Sequence, residues 1–171
     1  ILHELLVRYL ATEGLTEKDI QFVHMDIPSA QAALVAGEID FALLAGPTAY
    51  NMIQDGYEVV TDGEGLVDGT IVVATSEDFY SKNPDLVKKF LQVQQETLLY
   101  IDENYEEAME ITAKETGLPL DGVKEMYKMY DFNMDITQSD IESMQKTVQF
   151  MKENNMIEND VDIQSLILNV E

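Results

Sequence analysis

Short apolar segments alternate with helices in the first 75 residues, and this alternation restricts the fold more than any other feature of the sequence. The clearest segment is Phe-Ala-Leu-Leu-Ala at residues 41–45, an unbroken apolar run typical of a strand buried in a parallel sheet. A small-residue helix at residues 30–36 precedes it, and a helix led by Pro47 follows it. Strands joined by helices in this order predict an α/β fold made of βαβ units.

The same pattern of strands and helices divides the chain into two regions. Three further strands are predicted at residues 20–25, 57–61 and 70–75. After Thr75 the pattern becomes helical, with a long helix starting at Pro84 and later helices for which Asp121 and Thr137 are the predicted N-caps. We therefore expect an α/β region at residues 1–75, with a parallel-rich sheet, and a mostly helical region at residues 76–171.

Charge restricts the partners. The chain carries 10 Lys and Arg against 33 Asp and Glu, a formal net charge of −23. A surface of this sign repels nucleic-acid phosphates and anionic membrane faces, so nucleic-acid binding is excluded. No apolar run reaches the roughly 18–20 residues of a membrane span. The absence of cysteine fits oxidising and reducing compartments alike.

Groups that carry catalysis are scarce. The only histidines are His3 and His24, cysteine is absent, and no nucleophile elbow, Walker loop or dinucleotide fingerprint occurs. The loop at residues 62–69 places three carboxylates among glycines, which suggests calcium, but Leu66 stands where the third ligand belongs. We expect a glycine-rich connection there, no metal, no cofactor and no enzyme activity.

A ligand site is predicted where acidic residues are missing. Residues 27–31 and 43–51 are neutral in a strongly acidic chain, and both lie where a predicted strand ends and a helix begins. In open α/β sheets ligands bind at this edge, where helix N-termini offer free N–H groups to an anion or polar head. The alternative is that Ser29 and Thr48 only cap helices and that Tyr50 belongs to the core. The candidate ligand-binding residues are Ser29, Gly46, Pro47, Thr48, Tyr50 and Asn51.

An ordered set of short motifs runs along the chain. His3 starts an apolar helix, Gly14-Leu15 and an acidic turn follow, and an alanine-rich helix led by Pro28 ends in Gly-x-x-Asp at residues 37–40. A second helix is led by Pro47, and Gly117-Leu118-Pro119 precedes a later one. In this order the motifs resemble the nitrate/sulfonate/taurine-type substrate-binding proteins of ABC importers, which include relatives that bind thiamine pyrimidine precursors.

The resemblance implies more than the residues show by themselves. It implies a type 2 periplasmic-binding-protein-like fold of two lobes, with residues 1–75 in the second lobe and the later helices packing partly back on the first. The first lobe and the first strand of the second would lie outside this sequence. His3 is carried over as a further ligand-binding candidate, although a lone histidine at a helix start also serves for capping or packing. The Gly-Ser/Thr stretch that precedes this histidine in the family is replaced by Ile1 and Leu2.

The expected function is that of a solute-binding component. It would capture a small polar or anionic organic molecule, sulfonate/taurine-like or pyrimidine-like, and deliver it to ABC permease subunits. The expected location is extracytoplasmic, periplasmic or held on the cell surface as a lipoprotein by an upstream lipid anchor. Two other functions stay open on the sequence: a pyrimidine-precursor synthase-like enzyme, and the effector-sensing domain of a transcription regulator of the same fold.

Overall fold

Helices make up the regular structure of residues 1–170, the part of the chain that this computed structural model describes. In chain order they are α1 (Leu2–Thr12), α2 (Ile27–Ala36), α3 (Gly46–Gln54), α4 (Glu77–Lys82), α5 (Pro84–Glu103), α6 (Tyr105–Thr116), α7 (Leu120–Tyr127), α8 (Gln138–Glu153) and α9 (Ile163–Leu166), with a 3₁₀ turn at Glu17–Asp19. The chain divides into two units, Ile1–Gly69 and Thr70–Glu171. No helix among the described residues is both long and apolar enough to cross a bilayer.

In the first unit, α1 forms because its leucines recur at helical spacing. Leu5 and Leu10 are buried, at 9% and 6% exposed. Glu4 is also buried, and the Arg8 guanidinium one turn later compensates its charge, with Nη2 2.7 Å from the Glu4 carboxylate. The face of α1 that carries Leu5 and Leu10 is therefore the buried one.

The start and end of α2 follow local rules. Pro28 lies in its first turn, where a missing N–H costs nothing, and the Asp26 side chain caps the helix. The helix ends at Gly37, which takes the left-handed conformation with φ +71°. The predicted end of this helix at Gly37 is confirmed.

The second unit contains the predicted helices, with one cap placed wrongly. α5 starts at Pro84 as predicted, and Thr137 caps α8 in a reciprocal arrangement with Asp140. Asp121 is not an N-cap: α7 begins after Pro119, whose carbonyl accepts the Val123 N–H at 3.0 Å, and this leaves Asp121 inside the first turn. Pro119 has the extended backbone (φ −58°, ψ 145°) from which a helix can start.

The predicted parallel sheet is not confirmed. Among residues 1–170 no strand is formed, and the segments at 20–25, 41–45, 57–61 and 70–75 have no ladder of backbone hydrogen bonds. Many of their apolar side chains are exposed instead, with Phe41 at 74% and Ile71 at 83%, while Leu43 and Leu44 are half-buried. A parallel strand needs a neighbour for its ladder and layers of helix on both faces, so an apolar run alone does not form one.

The division between the predicted regions also stays a prediction. Along the chain, the first structural unit ends at Gly69 and the second begins at Thr70, whereas the sequence pattern changes after Thr75.

The glycine-rich loop packs against α1 through Gly63. This residue is buried with φ +89°, and a Cβ placed on it would lie 3.2 Å from Val67 Cγ2 and 3.3 Å from Leu5 Cδ1. We expect Gly63→Ala to lower the free energy of unfolding by about 1–2 kcal/mol, from backbone strain and the crowding of Leu5. Urea titration measures this, with Gly69→Ala as the control, since Gly69 is open and has no positive φ. Equal effects of the two changes would contradict the packing assigned to Gly63.

Candidate functional site

The N-terminus of α3 is the least obstructed helix start among the predicted sites. Its N-cap, Ala45, is extended (φ −148°, ψ 165°) and makes no side-chain cap hydrogen bond. The first turn holds Pro47 and no acidic residue. Because the first N–H groups of a helix have no intrahelical partner, α3 offers donors and the positive end of its dipole, and neither a side-chain cap nor an acid of its first turn neutralises them.

Gly46 shapes the entry into this helix. It has φ +59°, a conformation that side-chain-bearing residues rarely adopt, and an added Cβ would meet no atom within 4 Å. The glycine therefore serves the backbone turn and not a close side-chain packing. It redirects the chain from the extended segment at 41–45 into α3 and leaves the space beside the first turn open.

The N-terminus of α2 is different because a carboxylate already occupies it. The Ser29 N–H donates to Asp26 Oδ1 at 2.8 Å. A hydrogen bond from the Ser29 side chain, and secondly this backbone bond, lower the pKa of Asp26 below its ordinary value of 3.8. Ser29, a predicted ligand-binding residue, therefore partners the α2 cap. The neutral stretch at 27–31 is preceded by a charge that would repel an anion.

The depressed pKa gives a pH prediction for this cap. A carboxyl group whose pKa is lower in the folded state contributes stability above the unfolded pKa, and that contribution is lost as the pH falls below about 3.8. Asp26→Asn keeps an acceptor for the Ser29 N–H but removes the charge. We expect the difference in unfolding free energy between wild type and Asp26→Asn to shrink below pH 3.8, as urea titrations at a series of pH values would show. A difference independent of pH would contradict the assignment.

The helices α2 and α3 pack together within the first unit. Gln31 Nε2 lies 3.6 Å from Met52 Sδ, and Ala30 and Met52 are 6% and 3% exposed. On α3, Thr48 and Tyr50 are half-buried and Asn51 is exposed. The candidates on α3 thus share one short helix whose position is fixed by a buried methionine.

His3 is held by contacts within its own unit. Its Nε2 contacts the Glu17 carboxylate, and its ring stacks on Phe22 with centroids 4.9 Å apart and planes 10° apart. These contacts tie the start of α1 to the 3₁₀ turn and the segment after it. The structure thus gives His3 a packing role, and its role in ligand binding stays a prediction.

The loop at residues 62–69 is held by its own hydrogen bonds. The Glu64 N–H donates to Asp62 Oδ1 at 3.0 Å, and the Gly63 N–H donates to Thr61 Oγ1 at 3.3 Å. Over residues 1–170 no group of three potential ligands is placed to hold a metal ion.

Sequence reasoning missed two features of this unit. One is the Asp26 cap, although an aspartate immediately before a proline-led helix is a known start signal. The other is the buried Glu4 with its Arg8 partner, for which the spacing of four residues was the available signal.

Comparison with known proteins supports a single family. The model of the family described as NMT1/THI5 like matches residues 3–108. No curated protein matches the sequence significantly. Among the similar solved structures are two that match nearly the whole chain, and both are binding proteins rather than enzymes.

The first of these is the periplasmic aliphatic sulphonate binding protein SsuA from Escherichia coli, with 23% identity and a TM-score of 0.80, covering 97% of this chain and 58% of that one. The second is the alkanesulfonate-binding protein SsuA from Xanthomonas axonopodis pv. citri bound to MOPS, with 20% identity and a TM-score of 0.80, covering 98% of this chain and 59% of that one. The chain thus spans less than two thirds of either protein. At this identity the likeness shows the fold alone, that of the type 2 periplasmic binding proteins.

Proposed function

The chain belongs to the NMT1/THI5-like family, and from this we propose that it is part of the solute-binding component of an ABC importer. The protein would capture a small polar or anionic organic molecule, of sulfonate/taurine-like or pyrimidine-like chemistry, between two lobes. It would act outside the cytoplasm, in the periplasm or anchored to the cell surface by lipid, and would deliver its ligand to permease subunits.

The uncapped start of α3 is the observation that carries this proposal. A net charge of −23 makes most of the surface repel an anion, so a site for one needs local relief from carboxylates. The first turn of α3 has no acid and no side-chain cap. Its backbone N–H groups point where a sulfonate or a similar oxygen-bearing head would accept hydrogen bonds.

Side chains around this turn supply polar groups without charge. The Thr48 hydroxyl, the Tyr50 phenol and the Asn51 amide lie on α3, within six residues of the left-handed glycine that opens the turn. Hydroxyl and amide groups donate and accept, so they suit a sulfonate oxygen, a zwitterion or a pyrimidine edge. We assign the α2 start to a smaller role, because Asp26 already accepts its free N–H.

A ligand screen by thermal unfolding of the full-length protein tests the function. The panel contains alkanesulfonates, taurine, nitrate and pyrimidines. At a ligand concentration about 100-fold above Kd the stabilisation is about 2.7 kcal/mol, which raises Tm by roughly 5 °C or more. A raised Tm with at least one sulfonate or pyrimidine is expected. No shift with any member, even at millimolar concentration, would overturn the proposal.

A further inference from the structure

The second unit contains an open cavity of about 390 Å³ that the proposed function does not use. It lies beside the C-terminal end of α5 and the segment that follows α7. Its lining includes three aromatic residues, Tyr127, Tyr130 and Phe132, and two carboxylates, Asp102 and Asp131. Leu98 and Asn133 complete the lining.

The aromatic rings are arranged so that they support one another and still present surface. Tyr127 and Phe132 stack with centroids 5.1 Å apart, and Tyr130 tilts against Phe132 at 5.9 Å. Tyr105 braces Tyr127 edge-on at 5.4 Å. Tyr130 and Phe132 remain 47% and 45% exposed, so ring surface is available to a ligand.

The electrostatics at this cavity favour a positive ligand. Asp102 lies in the last turn of α5, a turn without basic residues, where the negative end of the helix dipole adds to its charge. Asp131 follows the C-terminal end of α7, and its Oδ1 accepts the Asn133 N–H at 2.9 Å, which holds the loop in place. Among the described residues, no lysine, arginine or histidine lines the cavity.

We propose that this cavity binds a small organic cation of the alkylammonium class. The positive head would lie against the ring faces, which carry a negative quadrupole, and beside the two carboxylates. The volume is at the lower end of the range for small-molecule sites. Calcium fits less well because it takes six to eight oxygen ligands, and the described residues bring no third acid to these two.

Choline and its uncharged carbon isostere, 3,3-dimethylbutan-1-ol, test the proposal on the full-length protein. The two probes have nearly the same shape, so a difference in affinity reports the charge. We expect choline to perturb the tyrosine fluorescence saturably and to bind at least about five-fold more tightly than the isostere. Equal affinity of the two probes would overturn the proposal. So would the absence of choline binding at about 50 mM. A response to calcium and not to choline would also overturn it.

Matched variants locate the binding. Phe132→Leu removes the ring face but keeps apolar bulk, and Asp102→Asn removes one carboxylate charge at the cavity. Each is expected to weaken choline binding about three- to ten-fold. Glu103→Gln, the control, makes the same charge change one residue away on α5 but does not line the cavity. Binding that Glu103→Gln weakens as much as Asp102→Asn does would show general charge attraction and contradict a built site.

Discussion

Pro47→Asp is expected to weaken binding of an anionic ligand by roughly 10- to 100-fold, the largest effect on binding that the site predicts. The substitution places a carboxylate in the first turn of α3, beside the N–H groups that the ligand would use. A like charge at about 5 Å costs roughly 1–3 kcal/mol near a protein surface. Aspartate suits the first turn of a helix, so the fold should tolerate the change and only affinity should fall. Titration calorimetry with the best ligand of the screen measures it.

Pro28→Asp is the matched control for this prediction. Pro28 lies at the start of α2 as Pro47 lies at the start of α3, and both substitutions add one negative charge. Since Asp26 already occupies the start of α2, we expect Pro28→Asp to change affinity less than about three-fold. Equal losses for the two variants would mean that both helix starts contact the ligand, as the sequence alone suggests.

Met109→Ala is expected to lower the free energy of unfolding by about 2–5 kcal/mol, the largest effect on stability. Met109 is 2% exposed on α6, which packs against α7, where Val123 is 4% exposed. Truncating a buried methionine loses its transfer free energy and leaves a cavity that the neighbours fill only partly. Urea titration followed by circular dichroism measures the change.

Met129 provides the control because it is the same residue type at 81% exposure. Met129→Ala should alter stability by less than about 0.5 kcal/mol. If Met109→Ala were equally neutral, α6 and α7 would not share the core that the structure assigns to them.

Most helices were predictable because their signals are local. Pro84 starts α5 and Gly37 ends α2 through backbone preferences that act within one turn. Thr137 caps α8 through hydrogen bonds that span three residues. The prediction that Asp121 caps α7 was wrong because aspartate stabilises both the N-cap and the first turn of a helix. The helix starts where the extended backbone of Pro119 ends.

The sheet could not be settled in the same way because its bonds are not local. Apolar runs such as residues 41–45 identify segments that burial would stabilise, but a ladder of backbone hydrogen bonds depends on which strand lies alongside. In the structure Phe41 and Ile71 remain exposed. The similar solved structures have the α/β fold of type 2 periplasmic binding proteins, so a sheet that would bury these side chains stays a prediction.

The sequence indicates a candidate site but not how its residues are engaged. The absence of charged residues at 43–51 points to the start of α3, and a ligand site there stays a prediction. Sequence could not tell that Ser29 would be engaged by Asp26, nor that His3 would lie between Glu17 and Phe22. Those contacts depend on conformation. The start of α3 lacks such contacts from a side-chain cap or an acid in its first turn, which is why we propose it as the ligand site.

Backbone amide NMR shifts during ligand titration report whether the start of α3 binds the ligand. The full-length protein, labelled with ¹⁵N, would be titrated with the alkanesulfonate or pyrimidine that gives the largest thermal shift. We expect saturable shifts of the Gly46 and Thr48 amides, downfield because these N–H groups gain an anionic acceptor, and a smaller change at Ser29. Saturable binding that leaves the amides of Gly46 and Thr48 unmoved would contradict it.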